Sequence, residues 1–277
     1  MLRGLIRKSI FLGSAFVAMF FLCSGEGFSQ SLEQEATVEE NIPTEDGLTV
    51  KYVNTDLEGA SEALANAKSY TVNLQIQDRS FPNGGGSVPE VEIRGVHNGK
   101  DVFFGIRWSD ATKNDRAIKH EQFRDAVGLM FPLGIVKISP ETPFSPRMGD
   151  RGKSVNIWHW KADWERDLQA DGGFEHMQDV YPDMFHDFDS NPHPCVYNKT
   201  VHDSADLLAG GLAAGSLLSL PRGRTVEDLN AVGFGTLTAQ AHQDVNGVGS
   251  WINGQWDVIV YRPLQTEDEN DVQFAPG

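Results

Sequence analysis

The chain has 277 residues, with 39 acidic against 23 basic side chains and a formal net charge of −16. A surface that acidic repels phosphate backbones and anionic lipid, which argues against nucleic acid as a partner and favours a basic protein surface. With hydrophobic residues at 40% and charged residues at 22%, the composition is that of a globular protein and not of a disordered or fibrous one.

Arg3, Arg7 and Lys8 precede an apolar run from Ile10 to Cys23, and small or polar residues follow at Gly25, Gly27 and Ser29. This pattern predicts a secretory signal peptide over residues 1–29, cleaved near Ser29. The run is 14 residues long, short of the roughly 20 that a spanning helix needs, and no later segment is apolar enough to take that role. Phe20, Phe21 and Leu22 stand before Cys23, where a lipobox takes small residues. Cleavage would leave 248 residues and Cys195 as the last cysteine, so no intramolecular disulfide is expected. Loss of three basic residues and Glu26 takes the charge from −16 to −18.

Residues 30–46 are acidic with little apolar material, a flexible leader, and the folded domain is expected over 47–277. Within it Val72, Leu74 and Ile76 alternate as one strand, Val91 and Ile93 as another, and Val102, Phe104, Ile106 and Trp108 as a third. Asn98-Gly99 and Asn253-Gly254 each sit between alternating apolar residues, the hairpin pair in which both positions take φ > 0. Further strands are predicted over Ser154–Trp160, over Val232–Thr238 and along Trp256, Val258 and Val260; the helices are short, over Asp56–Lys68 and Ala162–Ala170. Gly84-Gly85-Gly86 reads as a turn. Strands separated by turns predict an all-β fold, a single β-sandwich. Residues 171–206, polar and with Pro182, Pro192 and Pro194, form a connection long enough to be a functional or docking loop.

The least ordinary segment is PFSPRMGDRGKSVNIWHWKADW at 143–164, where Met148 lies in a Pro/Gly-rich turn before a strand carrying Trp158, His159, Trp160 and Lys161. A methionine beside tryptophans is ordinarily core filler, because a flexible thioether packs well on rings. The segment nevertheless resembles the haem-binding gamma subunit of the type II dimethyl sulfoxide reductase family, a group that includes ethylbenzene dehydrogenase, dimethyl sulfide dehydrogenase, chlorate and selenate reductases and a nitrite oxidoreductase subunit. Further blocks carry the resemblance in order from Val91 to Leu264: VEIRGVHNGKDVFFGIRWSDATKN, DAVGLMFPL, VEDLNAVGFGTLTAQ and WINGQWDVIVYRPL.

The resemblance implies a periplasmic β-sandwich binding one haem b, with methionine and lysine as axial ligands. Such a subunit passes electrons between an iron–sulfur beta subunit and a soluble cytochrome c, while a molybdenum alpha subunit does the substrate chemistry. Met148 matches the family's methionine. The family's lysine belongs to the C-terminal portion, whereas the last lysine here is Lys199 and one more strand is expected after Gly277; Lys161 is then the internal candidate, on the strand face opposite Trp158 and Trp160, against its plain reading as a solvated strand end. The absence of a Cys-x-x-Cys-His run fits a non-covalent haem.

His176, His186, His193 and His202 share the long loop with Asp183, Asp187 and Asp189, yet none has zinc spacing, and Asp187-x-Asp189-x-Asn191 lacks the Gly and Glu of a calcium loop. No Gly-x-Ser-x-Gly occurs, and Cys195 has no identifiable base, so no catalytic residue is assigned. Two alternatives stay open at this level. One is a secreted carbohydrate-binding module stacking sugars on Trp158, Trp160, Trp251 or Trp256; the other is a haem-less structural subunit of the same complex.

Overall fold

The computed structural model describes residues 9–11, 47–76, 86–134, 145, 148–169 and 223–275. In chain order the elements are β1 (Ser9–Phe11), β2 (Thr49–Tyr52), α1 (Ala60–Ala65), β3 (Tyr70–Asn73), β4 (Glu90–His97), β5 (Asp101–Ser109), β6 (Ala126–Pro132), β7 (Val155–Lys161), α2 (Ala162–Leu168), β8 (Val226–Ala231), β9 (Thr238–Ala239), β10 (Asn246–Ile252) and β11 (Gln255–Pro263). They form one sheet in the order β1-β2-β4-β5-β11-β10, with β3 also on β4, and a second in the order β6-β7-β8-β9. The all-β class read from alternation is the class observed.

The chain divides into two compact units. The first holds 1–113, 126–160 and 226–277, and with them both sheets. Its core is the contact of inward side chains from the two sheets. Phe104 of β5 meets Trp158 of β7 and Phe131 of β6, each at 5.9 Å between ring centroids, and Trp160 of β7 meets Trp256 of β11 at 4.9 Å and Trp108 of β5 at 6.1 Å. Trp158, Trp160 and Trp256 are at most 1% exposed. A sugar-stacking platform on these rings is therefore overturned, because the alternation that puts them on one strand face aims that face into the sandwich. Trp251 is partly exposed and donates its indole N–H to Asp110 O at 3.0 Å.

The second unit takes in 114–125 and 161–225. Its described part is tied by the Asp125 carboxylate, which accepts the Asn114 backbone N–H at 2.8 Å, by Ala162 N–H donating to Asp125 O at 2.9 Å, and by Arg124 pairing with Asp163 at 3.0 Å.

Four local readings change. The strand expected over Val232–Thr238 lies earlier, at Val226–Ala231, because its buried acidic residues Glu227 and Asp228 break the apolar pattern that periodicity detects; Val232 and Phe234 instead sit in an exposed turn. β3 stops at Asn73, so Ile76 is 71% exposed. The helix read over Asp56–Lys68 contracts to Ala60–Ala65. At the first hairpin only Gly99 is left-handed, with Asn98-Gly99-Lys100 as the connection and the Asn98 side chain accepting the Lys100 and Asp101 N–H groups at 2.9 and 2.7 Å. The second hairpin is as read, with Asn253 at φ 53° and Gly254 at φ 79°.

Gly249 of β10 lies directly under Trp160: an added Cβ would stand 2.3 Å from the ring's Cζ2. Gly249→Ala is expected to lower unfolding free energy by about 1–3 kcal/mol through overpacking, measured by urea titration of the tryptophan fluorescence.

Candidate functional site

Register assigns the two faces of the second sheet. Trp158 lies opposite Asp228 and Trp160 opposite Val226, all facing the core, so Val155, Ile157 and His159 with their partners Ala231, Leu229 and Glu227 point the other way. That outward face begins apolar: Met130, Val155, Ile157, Leu229 and Ala231 form a buried cluster, and Met148 packs against it. Towards the other end of β7 it turns polar, with His159 opposite Glu227.

Met148 is held there by an unusual backbone. It has φ +60°, in the left-handed region that an unbranched non-glycine residue enters at a cost of about 1–2 kcal/mol. Three features hold the turn. Gly233 N–H donates to Met148 O at 2.9 Å, Asp150 and Lys153 exchange backbone hydrogen bonds at 3.3 and 2.8 Å, and Gly149 takes φ +82° against Lys153. The turn that supplies Gly233 also presents Val232 and Phe234, 47% and 84% exposed. Thr236 closes it, its hydroxyl accepting Val232 N–H at 2.8 Å and donating to Gly233 O at 2.7 Å. A half-buried thioether held in a left-handed turn and packed on apolar side chains has the chemistry of a soft donor. The donor set fits a haem: a thioether for the iron and apolar side chains for the macrocycle.

Lys161 belongs to the second unit and is 2% exposed, so it is not the solvated strand end of its plain reading. Its Nζ lies 4.0 Å from the Trp164 ring centroid, and its backbone N–H donates to Thr225 O at 3.1 Å. Met148 packs against Val155, at the start of β7. The long loop with His176, His186, His193, His202 and Cys195, and the turn residues Gly84 and Gly85, lie outside the described residues.

Sequence reading missed a second polar centre, inside the sandwich. Arg262 continues the inward series Trp256, Val258, Val260 and is wholly buried. Its Nη1 lies 3.0 Å from Asp271 Oδ2, and its guanidinium carbon stands 5.0 Å over the Trp158 ring. Asp228 accepts from Asn156 Nδ2 at 2.6 Å and Gln240 Nε2 at 3.1 Å on one oxygen, and Trp158 Nε1 donates to Asn156 Oδ1 at 2.8 Å. Burial, then the charge of Asp271, push the Asp228 carboxyl up to about 8 against the pull of Asn156 and Arg262. Burial lowers the Arg262 pKa, opposed by Asp271, Asp228, Asp244 and Asp268. An arginine in the apolar phase of a strand was the available signal.

Gly149→Ala places a Cβ 2.5 Å from Lys153 O at a positive φ. The variant is expected to lose about 1–3 kcal/mol and to open the Met148 turn, read as a lower Tm together with faster amide exchange over 148–154.

Residues 61–277 match the family model described as ethylbenzene dehydrogenase. Among curated proteins, a protein of Haloferax mediterranei named as a respiratory nitrate reductase heme subunit is 25% identical over 114 residues, covering 41% of this chain and 40% of its own length. The chlorate reductase subunit gamma of Ideonella dechloratans is 30% identical over 80 residues, covering 29% of this chain and 31% of its own length. The chain thus spans less than half the length of each of these relatives.

Proposed function

The chain belongs to the ethylbenzene dehydrogenase family, and from that premise we propose that it is a haem b electron-transfer subunit of a periplasmic molybdenum oxidoreductase, exported by the leader at residues 1–29. The observation that carries the reading is Met148, a methionine forced to φ +60° and seated on the apolar outward face of the second sheet. The names of the two relatives, a heme subunit and a gamma subunit, support the same role. Export would remove β1, which lies within the leader and pairs with β2.

In this reading Met148 would hold the iron through its thioether, and Met130, Val155, Ile157, Leu229 and Ala231 would keep water from that face. A haem bound there supplies one-electron chemistry, with a potential raised by the soft ligand. Met148 is the thioether ligand of this proposal, and Lys161, whose ammonium stands over the Trp164 ring, is its second candidate ligand. The absence of a Cys-x-x-Cys-His run agrees with a non-covalent haem, which the proposal takes as type b. A molybdenum alpha subunit and an iron–sulfur beta subunit would complete the complex, and a soluble cytochrome c would exchange electrons with it.

The mature chain expressed with haem is expected to give a pyridine haemochrome spectrum of haem b at about one per chain, and Met148→Ala to lose the haem or shift its bands. A colourless wild-type protein from haem-replete cells would overturn the reading in favour of a structural subunit. The charge of −16 leads to a second expectation. The rate of electron exchange with a cationic cytochrome c should fall at least about tenfold as ionic strength rises from about 10 mM to 0.15 M, followed by stopped-flow absorbance.

A further inference from the structure

The polar centre inside the sandwich is not used by that function, and its charges do not balance. Asp228 on β8, Arg262 near the end of β11 and Asp271 in the segment after β11 are each at most 4% exposed. Two carboxylates face one guanidinium. The other charged groups acting on Arg262, Asp244 and Asp268, are acidic, so among the described residues no second cation acts on the set. A fully ionised set would keep one uncompensated negative charge in an apolar core, at a cost of several kcal/mol.

The hydrogen bonds leave the same deficit. Asn156 and Gln240 both donate to Asp228 Oδ1, the Thr266 hydroxyl donates to Asp271 Oδ2, which also pairs with Arg262 Nη1 at 3.0 Å, and Arg262 Nη2 donates to Val272 O. Asp228 Oδ2 and Asp271 Oδ1 are buried with no donor among the described residues, and Asn156 and Gln240 join Asp228 to Val272 and Asn270, the chain neighbours of Asp271 on either side. One proton held between them supplies the missing charge and the missing donor together.

The same groups fasten residues 264–275 across the end of the sandwich. Val272 N–H donates to Asn156 Oδ1 at 3.3 Å, Gln240 Nε2 donates to Asn270 O at 3.2 Å, and Phe274 N–H donates to Leu264 O at 2.9 Å. Phe274 then enters the core at 5.5 Å from Phe131 and 5.8 Å from Trp158. We infer that Asp228 keeps its proton at neutral pH and donates it to Asp271, and that this proton latches the 264–275 strap to the sandwich, so that alkaline titration releases it.

The sign follows from the Asp228 carboxyl standing at about 8 against about 3.9 in an unfolded chain. The folded state holds the proton more tightly, so this contribution is complete below the unfolded value and is lost as pH rises through the folded one. Asn at position 228 keeps the oxygen that accepts from Asn156 and Gln240 and offers an N–H where the proton stood, so Asp228→Asn mimics the latched form.

The test is amide exchange of residues 264–275 in the full chain between pH 6 and 10, corrected for the intrinsic rate. Wild-type protection is expected to fall at least about tenfold with a midpoint near 8, while Asp228→Asn stays protected throughout. Protection that persists unchanged to pH 10, or a variant that loses it with the wild-type midpoint, would overturn the latch. If sodium or calcium chloride restored protection at high pH where choline chloride did not, the ligand would be a metal cation and the proton assignment would fall. Should the variant not fold, infrared spectroscopy of the wild type decides: a protonated-carboxyl C=O band at pH 7 that bleaches on the alkaline side is expected, and its absence overturns the inference.

Discussion

Trp160 rests on the backbone of Gly249, and that approach fixes how closely the two sheets stack. With a Cβ excluded at 249, the indole approaches the β10 backbone and meets Trp256 and Trp108 in edge-on pairs. The smaller rings then fill the remaining depth, Phe104 against Trp158 and Phe131. Aromatic side chains bury more area per residue than any others, so a few such contacts hold a sandwich that has no disulfide among its described residues.

That tight packing makes the polar centre beside it consequential. An arginine and two aspartates are expensive to bury, and replacing such a set by apolar residues is often neutral or stabilising. Here the set has a positional role. Arg262 bonds the strap at Asp271 and Val272, Asn156 joins the strap to Trp158, and Gln240 ties β8 to Asn270. Removing one partner would strand the others in a low-dielectric interior, so the centre acts as a unit and specifies where the chain after β11 must lie.

The second sheet consequently works on two faces with different chemistry. Its inward face is committed to the core, and its outward face carries an apolar cluster with Met148 at one end and His159 opposite Glu227 further along. The strain at Met148 is sustained because glycines at 149 and 233 let the backbone close around it. That turn seats the Met148 thioether against the apolar cluster of the outward face.

Alternation alone determined the all-β class, the strands at 90–97, 101–109, 155–161 and 255–263, and the hairpin at Asn253-Gly254, because a period of two and a pair of φ > 0 positions are local properties. The turn around Met148 was also legible, from its setting among Gly and Pro before a tryptophan-rich strand, whereas its left-handed backbone was not. Periodicity says which residues share a face but not which face becomes core, so the burial of Trp158 and Trp160, and with it the loss of a sugar platform, was decided only when the sheets stacked. The strand at Val226–Ala231 and the Asp228, Arg262 and Asp271 centre were hidden for a related reason: a charged residue reads as solvated until distant segments supply the partners that let it be buried, and those partners meet only in the folded chain.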